Sequence, residues 1–227
     1  MIIGHQHIIN YLKKSVENNK VSHAYLFEGL EHLGKKTIAL WFAKLLECRD
    51  ENKKPCDKCR SCEDIEKSQH PDVIIISVLE DKNEISIDQI RELRRHLSLS
   101  AHSSPYKIAI IDSAEMMTDE AANALLKTLE EPRGNVALIL LANIASALPE
   151  TILSRCQEIK FRAVKKQEIE NYLLTEGCDK KEAGIISRLS LGRPGVAINL
   201  FKKKLTGSFS RQELVEFLNL LNKPYPE

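Results

Sequence analysis

One stretch limits the folds open to this chain more than any other: "AYLFEGLEHLGKKTIALWFAKLLE", residues 24–47. It opens with a short apolar strand, "AYLFEG" (24–29). It closes with a helix, "KKTIALWFAKLLE" (35–47), apolar on most sides and therefore expected to be buried. Between them Gly29 and Gly34 stand in G-x-x-x-x-G spacing, and Lys35 follows. In that order, loop N–H groups and a helix N-terminus can face a phosphate. The next position normally supplies a Ser or Thr hydroxyl to Mg²⁺, and here it is Lys36. Thr37 cannot simply replace it, because one helical step turns a side chain by about 100°. It can still reach a phosphate oxygen. The plain alternative is a glycine turn between a strand and a helix.

The chain continues the alternation as far as residue 162. Helices are expected at 5–18, 86–98 and 118–131, and strands at 72–78, 106–112, 135–143 and 157–161. Ser86 and Gln89 have capping-box spacing, and Pro132 stops the helix before it. "DVIIISV" (72–78) is almost wholly apolar, as a central parallel strand is. This spacing predicts an α/β fold with right-handed crossovers and a five-stranded parallel sheet flanked by helices. Beyond residue 162 the strand pattern ends. "KKQEIENYLLTEG", "KKEAGIISRLSLG" and "PGVAINLFKKK" predict three short helices, so a domain boundary is expected near 163. "LTGSF" (205–209) reads as a linker, and the stretch after it as one amphipathic helix.

Composition excludes more than it asserts. The 227 residues suffice for one core and a small second domain. A net charge of +1 gives no global attraction to nucleic acid, so any such contact must be local. No charged segment leads into an apolar one at the N-terminus, and no 18-residue apolar run exists. A cytoplasmic protein without a membrane partner is expected.

Three more constellations carry chemistry. In "IAIIDSAEMM", four apolar residues lead to Asp112, the position that helps to hold Mg²⁺ in phosphate-loop enzymes. A carboxylate able to polarise water usually follows, and here Ser113 stands there, with Glu115 two residues further on. A core strand ending in a helix-capping Asp competes with that reading. Cys48, Cys56, Cys59 and Cys62 have the spacing of a closed tetrahedral Zn²⁺ site, a structural one with no open position. A redox pair is the alternative, although overlapping C-x-x-C motifs are unexpected there. In "ILSRCQEIKF", Arg155 precedes the last strand; it is either a solvated charge or a finger reaching another chain's phosphate. Cys156 beside it reads as a bystander.

Together "HAYLFEG", the four-cysteine insert, "HPD" (70–72), "KIAIIDSAEMMTDEAANALLKTLEEP", "LLAN" and "LPETILSRCQ" resemble the delta-prime family of the bacterial DNA polymerase III clamp loader, within the clamp-loader clade of AAA+ proteins. The resemblance runs through nearly all of residues 1–203. It implies an AAA+ Rossmann-like domain over 1–162 with a zinc module at 48–62, a helical lid over 163–206, and a linker with the start of a collar domain over 207–227. It implies assembly with gamma/tau and delta subunits, and action on a sliding clamp and primed DNA through that complex. It further implies a decayed nucleotide site, with ATP or ADP binding weak or absent, and Arg155 serving a neighbour's ATP. Asn143 falls at the family's first sensor and Arg193 near its second, though "GRPG" departs from the usual pattern. An active ATPase of the gamma/tau type is the alternative that Lys36 and Ser113 disfavour. A zinc-bearing nucleic-acid-binding module is another, resting on Arg91, Arg94 and Arg95 along the 86–98 helix.

Overall fold

The computed structural model of the chain describes residues 2–50, 53–98, 105–132 and 134–205. The linker and collar start expected at 207–227 lie outside the described residues. The first unit spans His5–Leu30 and Lys35–Arg162. Its strands are β1 (Ala24–Glu28), β2 (Val73–Ile76), β3 (Lys107–Ile111), β4 (Val136–Ala142) and β5 (Gln157–Lys160). They form one sheet in the order β2-β3-β4-β1-β5, every pairing parallel. The helices are α1 (Gln6–Glu17), α2 (Lys35–Glu47), α3 (Arg60–Glu66), α4 (Ile87–Ser98), α5 (Asp119–Glu130) and the single turn α6 (Glu150–Leu153).

The pleat sorts the strand residues between the two faces. On one face Leu26, Ile111, Leu138 and Leu140 pack with Ile90 and Leu93 of α4 and Leu125 and Leu129 of α5. On the other, the Tyr25 ring meets Phe42 of α2 edge-on with centroids 5.4 Å apart. Every residue of β4 is buried, which explains why it reads as an unbroken apolar run. Burying a Leu or Phe side chain contributes roughly 1.5–3 kcal/mol each, so these two layers supply much of what holds the sheet folded. The α5 N-terminus is capped by the Thr118 hydroxyl, which accepts from the Ala121 N–H. At α4 only half of the expected capping box is present. Gln89 Oε1 accepts from the Ser86 N–H at 3.0 Å, while the Ser86 hydroxyl turns toward the same oxygen.

A compact second unit comprises the described residues of Met1–Gly4, Glu31–Gly34 and Ala163–Glu227. It contains α7 (Lys166–Thr175), α8 (Lys180–Leu189) and α9 (Pro194–Leu205). Ile3, Val164, Ile169, Leu173, Ile186 and Ala197 form its core. Gly192 is required by space as well as by its φ of +72°: a Cβ there would lie 2.7 Å from that of Ala163. The tip of the glycine loop joins this unit through a hydrogen bond from the Gly195 N–H to the His32 carbonyl, 2.9 Å long.

Candidate functional site

Parallel strands all point one way, so the residues that follow them gather along one edge, where open α/β sheets bind ligands. Gly29 leaves β1 and its N–H donates to the Ala142 carbonyl at 3.1 Å. Asp112 follows β3, and Asn143 follows β4. The fold thus brings Gly29, Lys35, Asp112 and Asn143 together. Lys35 Nζ donates to the carbonyl oxygens of Gly29 and Leu30 and, at 2.9 Å, to Asn143 Oδ1. Glu115 Oε1 accepts from the Asn143 N–H at 3.0 Å, so that carboxylate braces the end of β4. Its second oxygen is buried with no hydrogen-bond partner among the described residues. Ser113 occupies a left-handed turn, φ 59°.

Lys36 stands where the metal ligand would be expected. Its ammonium lies 3.0 Å from Asp112 Oδ2, with the two side chains 52% and 28% exposed. A cation paired with the very carboxylate that would help to hold Mg²⁺, on the residue that should have supplied a hydroxyl ligand, does not fit that ion. Thr37 is exposed on the first turn of α2. Gly34 holds φ +95°, and no atom stands within 4 Å of where its Cβ would be. Its glycine therefore serves the backbone rather than packing. Arg193 precedes α9 in the second unit, its carbonyl accepting from the Val196 and Ala197 N–H groups.

Arg155 stands at the opposite end of the sheet, before β5, which is an edge strand. Its guanidinium donates to the Thr151 carbonyl at 2.9 Å and the Ser154 hydroxyl at 3.3 Å, and pairs with Glu130 at 2.9 Å. Three of its five N–H donors are used by these contacts. Cys156, partly buried against the sheet core, has its thiol pushed up to about 12 by burial.

The insert builds a separate centre. The Sγ atoms of Cys48, Cys56, Cys59 and Cys62 all lie within 4.8 Å of one another. Cys48 ends the chain's run out of α2, Cys59 caps α3, and Cys62 rides on its first turn. The three buried cysteines cluster only with each other and with Cys59, so no apolar core explains their burial. The Cys56 N–H donates to Cys48 Sγ at 3.4 Å and the Cys59 N–H to Cys56 Sγ at 3.3 Å. Burial raises the Cys59 thiol, but N–H groups of Cys62 and Arg49 outweigh it and hold the pKa down to about 6. Burial drives Cys62 and Cys48 the other way. Zn–S bonds of about 2.3 Å place tetrahedral sulfurs roughly 3.8 Å apart, so this donor set fits a structural Zn²⁺. Lys44 of α2 ties the module down, bridging Asp57 at 3.0 Å and Glu66 at 2.6 Å.

Two features escaped the sequence reading. His70 and Asp72 of "HPD" are buried, and Asp72 pairs at 3.5 Å with buried Lys107. They are internal supports of β2 and β3, not members of the ligand edge. The basic helix α4 faces a cavity of about 680 Å³ lined by Arg91, Arg94, Arg95, Lys127 and Glu130. Arg91 and Arg95 are already paired along the helix with Asp88 and Glu92, at 3.0 and 2.7 Å. Such pairs are the mark of a solvated face. Among the described residues, no helix is long and apolar enough to cross a membrane.

A parallel sheet in this strand order, with a glycine loop after its first strand and Asp112 after its third, defines a P-loop module of the AAA+ fold. Solved structures agree. A gamma-subunit-related protein of DNA polymerase III from Thermotoga maritima has a TM-score of 0.52 at 19% identity, over 93% of this chain and 77% of that one. The RuvB Holliday junction branch migration motor of the same organism has 0.61 at 14% identity, over 97% and 70%. The family model described as "DNA polymerase III, delta subunit" matches residues 4–165. The chain belongs to that family. Its relatives include the delta' subunit of Bacillus subtilis, 35% identical over 81% of this chain and 55% of the relative. A gamma subunit from Buchnera aphidicola subsp. Schizaphis graminum is 31% identical over 99% and 64%. The tau subunit of Bacillus subtilis is 37% identical over 74% and 30%. The chain thus spans between about a third and two thirds of these relatives' lengths.

Proposed function

We propose that this chain is a largely non-hydrolysing subunit of a DNA polymerase III clamp loader, the delta-prime role rather than the ATPase role of gamma/tau. The observation that carries this reading is the Lys36–Asp112 ion pair, 3.0 Å long. Sequence identity does not separate the two roles, because delta', gamma and tau relatives lie at similar identities. The chemistry of the ligand edge favours the non-hydrolysing one. A hydrolysing site needs a Mg²⁺ ligand after the loop lysine and a carboxylate after the strand Asp. Here those positions are Lys36 and Ser113, and Glu115 is turned onto Asn143.

In this reading residues 1–162 are the AAA+ domain, 163–206 the lid, and 207–227 a linker and collar start. The chain works in the cytoplasm with gamma/tau and delta siblings, and reaches the sliding clamp and primed DNA through them. Its loop residues Gly29, Gly34, Lys35 and Thr37, with Asn143 and Arg193, are the remains of a nucleotide site. Cys48, Cys56, Cys59 and Cys62 hold one structural Zn²⁺, which when bound cross-links the insert to the end of α2. Arg155 serves a neighbour: its sheet end is opposite to its own loop, and a guanidinium there can stabilise charge on another chain's γ-phosphate. The test pairs two measurements. The chain should co-purify with co-expressed gamma/tau and delta subunits, and alone it should release no phosphate from ATP above background. Robust turnover by the chain, abolished by Lys35→Ala, would reverse the assignment to the ATPase role.

A further inference from the structure

The first turn of α2 holds Lys35 and Lys36 and no acid. That is the reverse of what the positive end of a helix favours. Negative charge brought to that end eases the repulsion, and the fold brings one carboxylate, Asp112, onto Lys36. In a metal-dependent loop, the cation between that Asp and the phosphates is Mg²⁺. Here the cation at the Asp is an ammonium, and it is covalently part of the chain. An ammonium has three donors and the Asp112 contact uses one. The remaining two suit phosphate oxygens, so Lys36 can bridge the carboxylate and an anion as the metal would.

Resting on the clamp-loader reading, we infer that this loop takes a polyphosphate without any divalent cation, with Lys36 as the built-in counter-ion. The ligand class is a nucleoside di- or triphosphate, or the phosphate chain alone. Two consequences separate this site from a metal-dependent one. Binding does not need Mg²⁺, because Mg²⁺ must compete with Lys36 for Asp112. The third phosphate adds little, because Lys36 and Asp112 cancel each other and a doubly charged ion has been replaced by a singly charged one.

The experiment is equilibrium binding of ADP, ATP and inorganic tripolyphosphate to the full chain, each with saturating Mg²⁺ and again with EDTA. The expected result is an affinity that changes by less than about threefold between the two conditions, and a similarly small difference between ADP and ATP. In Lys36→Thr, EDTA binding should weaken by about tenfold or more and Mg²⁺ should restore it. Lys36→Met, which keeps most of the side chain's length but removes its charge and offers no hydroxyl, should weaken EDTA binding to a similar extent without recovery in Mg²⁺, and it keeps the question open to measurement if the threonine variant fails to fold. Tripolyphosphate bound as well as ATP supports the inference and assigns recognition to the phosphates. Tightening of the unmodified chain by about tenfold in Mg²⁺ overturns it. Absence of binding in both conditions also overturns it. That failure leaves the clamp-loader reading standing, because co-purification with the sibling subunits reports on that reading and needs no nucleotide on this chain.

Discussion

Lys107→Met is a severe single change that leaves every candidate site residue in place. Lys107 opens β3 and its side chain is 7% exposed; that of Asp72, before β2, is fully buried. Their charged atoms lie 3.5 Å apart, Lys107 Nζ also donates to the His96 carbonyl at 3.1 Å, and the Ile108 N–H donates to the Asp72 carbonyl at 2.8 Å. Methionine fills a similar volume but removes the charge that Lys107 sets against the buried Asp72 carboxylate. Breaking a buried pair from one side typically costs about 3–5 kcal/mol. For a chain of this size each kcal/mol lowers Tm by roughly 2–4 °C, so a fall of roughly 6–20 °C is expected. Removing both charges together, in Lys107→Met with Asp72→Asn, should recover part of the loss, giving a coupling energy of about 1–3 kcal/mol. Urea denaturation followed by circular dichroism measures all four corners of the cycle. Lys107→Met within about 1 kcal/mol of the parent, with no coupling, would refute the argument that this pair braces the β2–β3 edge.

Three further outcomes are expected. Protein purified under reducing conditions should contain about one zinc per chain by elemental analysis. Chelation or Cys59→Ser should raise amide exchange across residues 48–65 while the sheet stays protected, and zinc-free protein with full protection there would refute the site. His70 is buried, which lowers its pKa against the opposing pull of Asp72 and Asp64, and its Nδ1 accepts from the Asp72 N–H at 3.2 Å. Its folded value is therefore below the unfolded value of about 6.5: the stability it contributes is complete above that pH and is lost as pH falls below it. A parent and a His70→Gln variant with identical stability–pH curves between neutral and mildly acidic conditions would contradict this. In the assembled clamp loader, Arg155→Ala should leave assembly intact and lower DNA-stimulated ATPase. The fall should be smaller than the roughly 10³–10⁵-fold worth of a lone arginine finger, since other sites keep theirs. Arg155→Lys should not rescue it, because a point charge lacks the planar fork, and loading at the parental rate by the alanine variant would make Arg155 a surface charge.

The sheet was legible because its information is local. "VALILLA" is apolar at every position and β4 is buried at every position, while Pro132 marks the end of the helix before it. The four cysteines were legible by spacing alone. What stayed hidden depends on residues far apart in the chain. Nothing near Lys36 announces that its partner is Asp112, and nothing in "HPD" announces Lys107. Helix α3 was missed because its polar segment, "RSCEDIE", carries no apolar stripe; Cys62 and Ile65 are its two buried nonpolar residues, and the first belongs to the metal pattern. The packing of Ile3 with Val164 and the bond from the Gly195 N–H to the His32 carbonyl likewise join segments far apart in the chain, which no local pattern announces. The capping box was half right, since spacing fixes which residues can meet but not which way a hydroxyl turns.

The ion pair at the loop also bears on how such a chain can change over evolutionary time. Replacing Lys36 alone with threonine offers Mg²⁺ a hydroxyl and frees Asp112, yet Ser113 still provides no carboxylate for water. Replacing Ser113 alone with glutamate sets a second acid beside Asp112, while Lys36 continues to neutralise the first. Neither step by itself brings hydrolysis, so neither confers an advantage that selection could retain. In the proposed non-hydrolysing role, the 3.0 Å contact makes a gain of hydrolysis depend on two coincident substitutions rather than one.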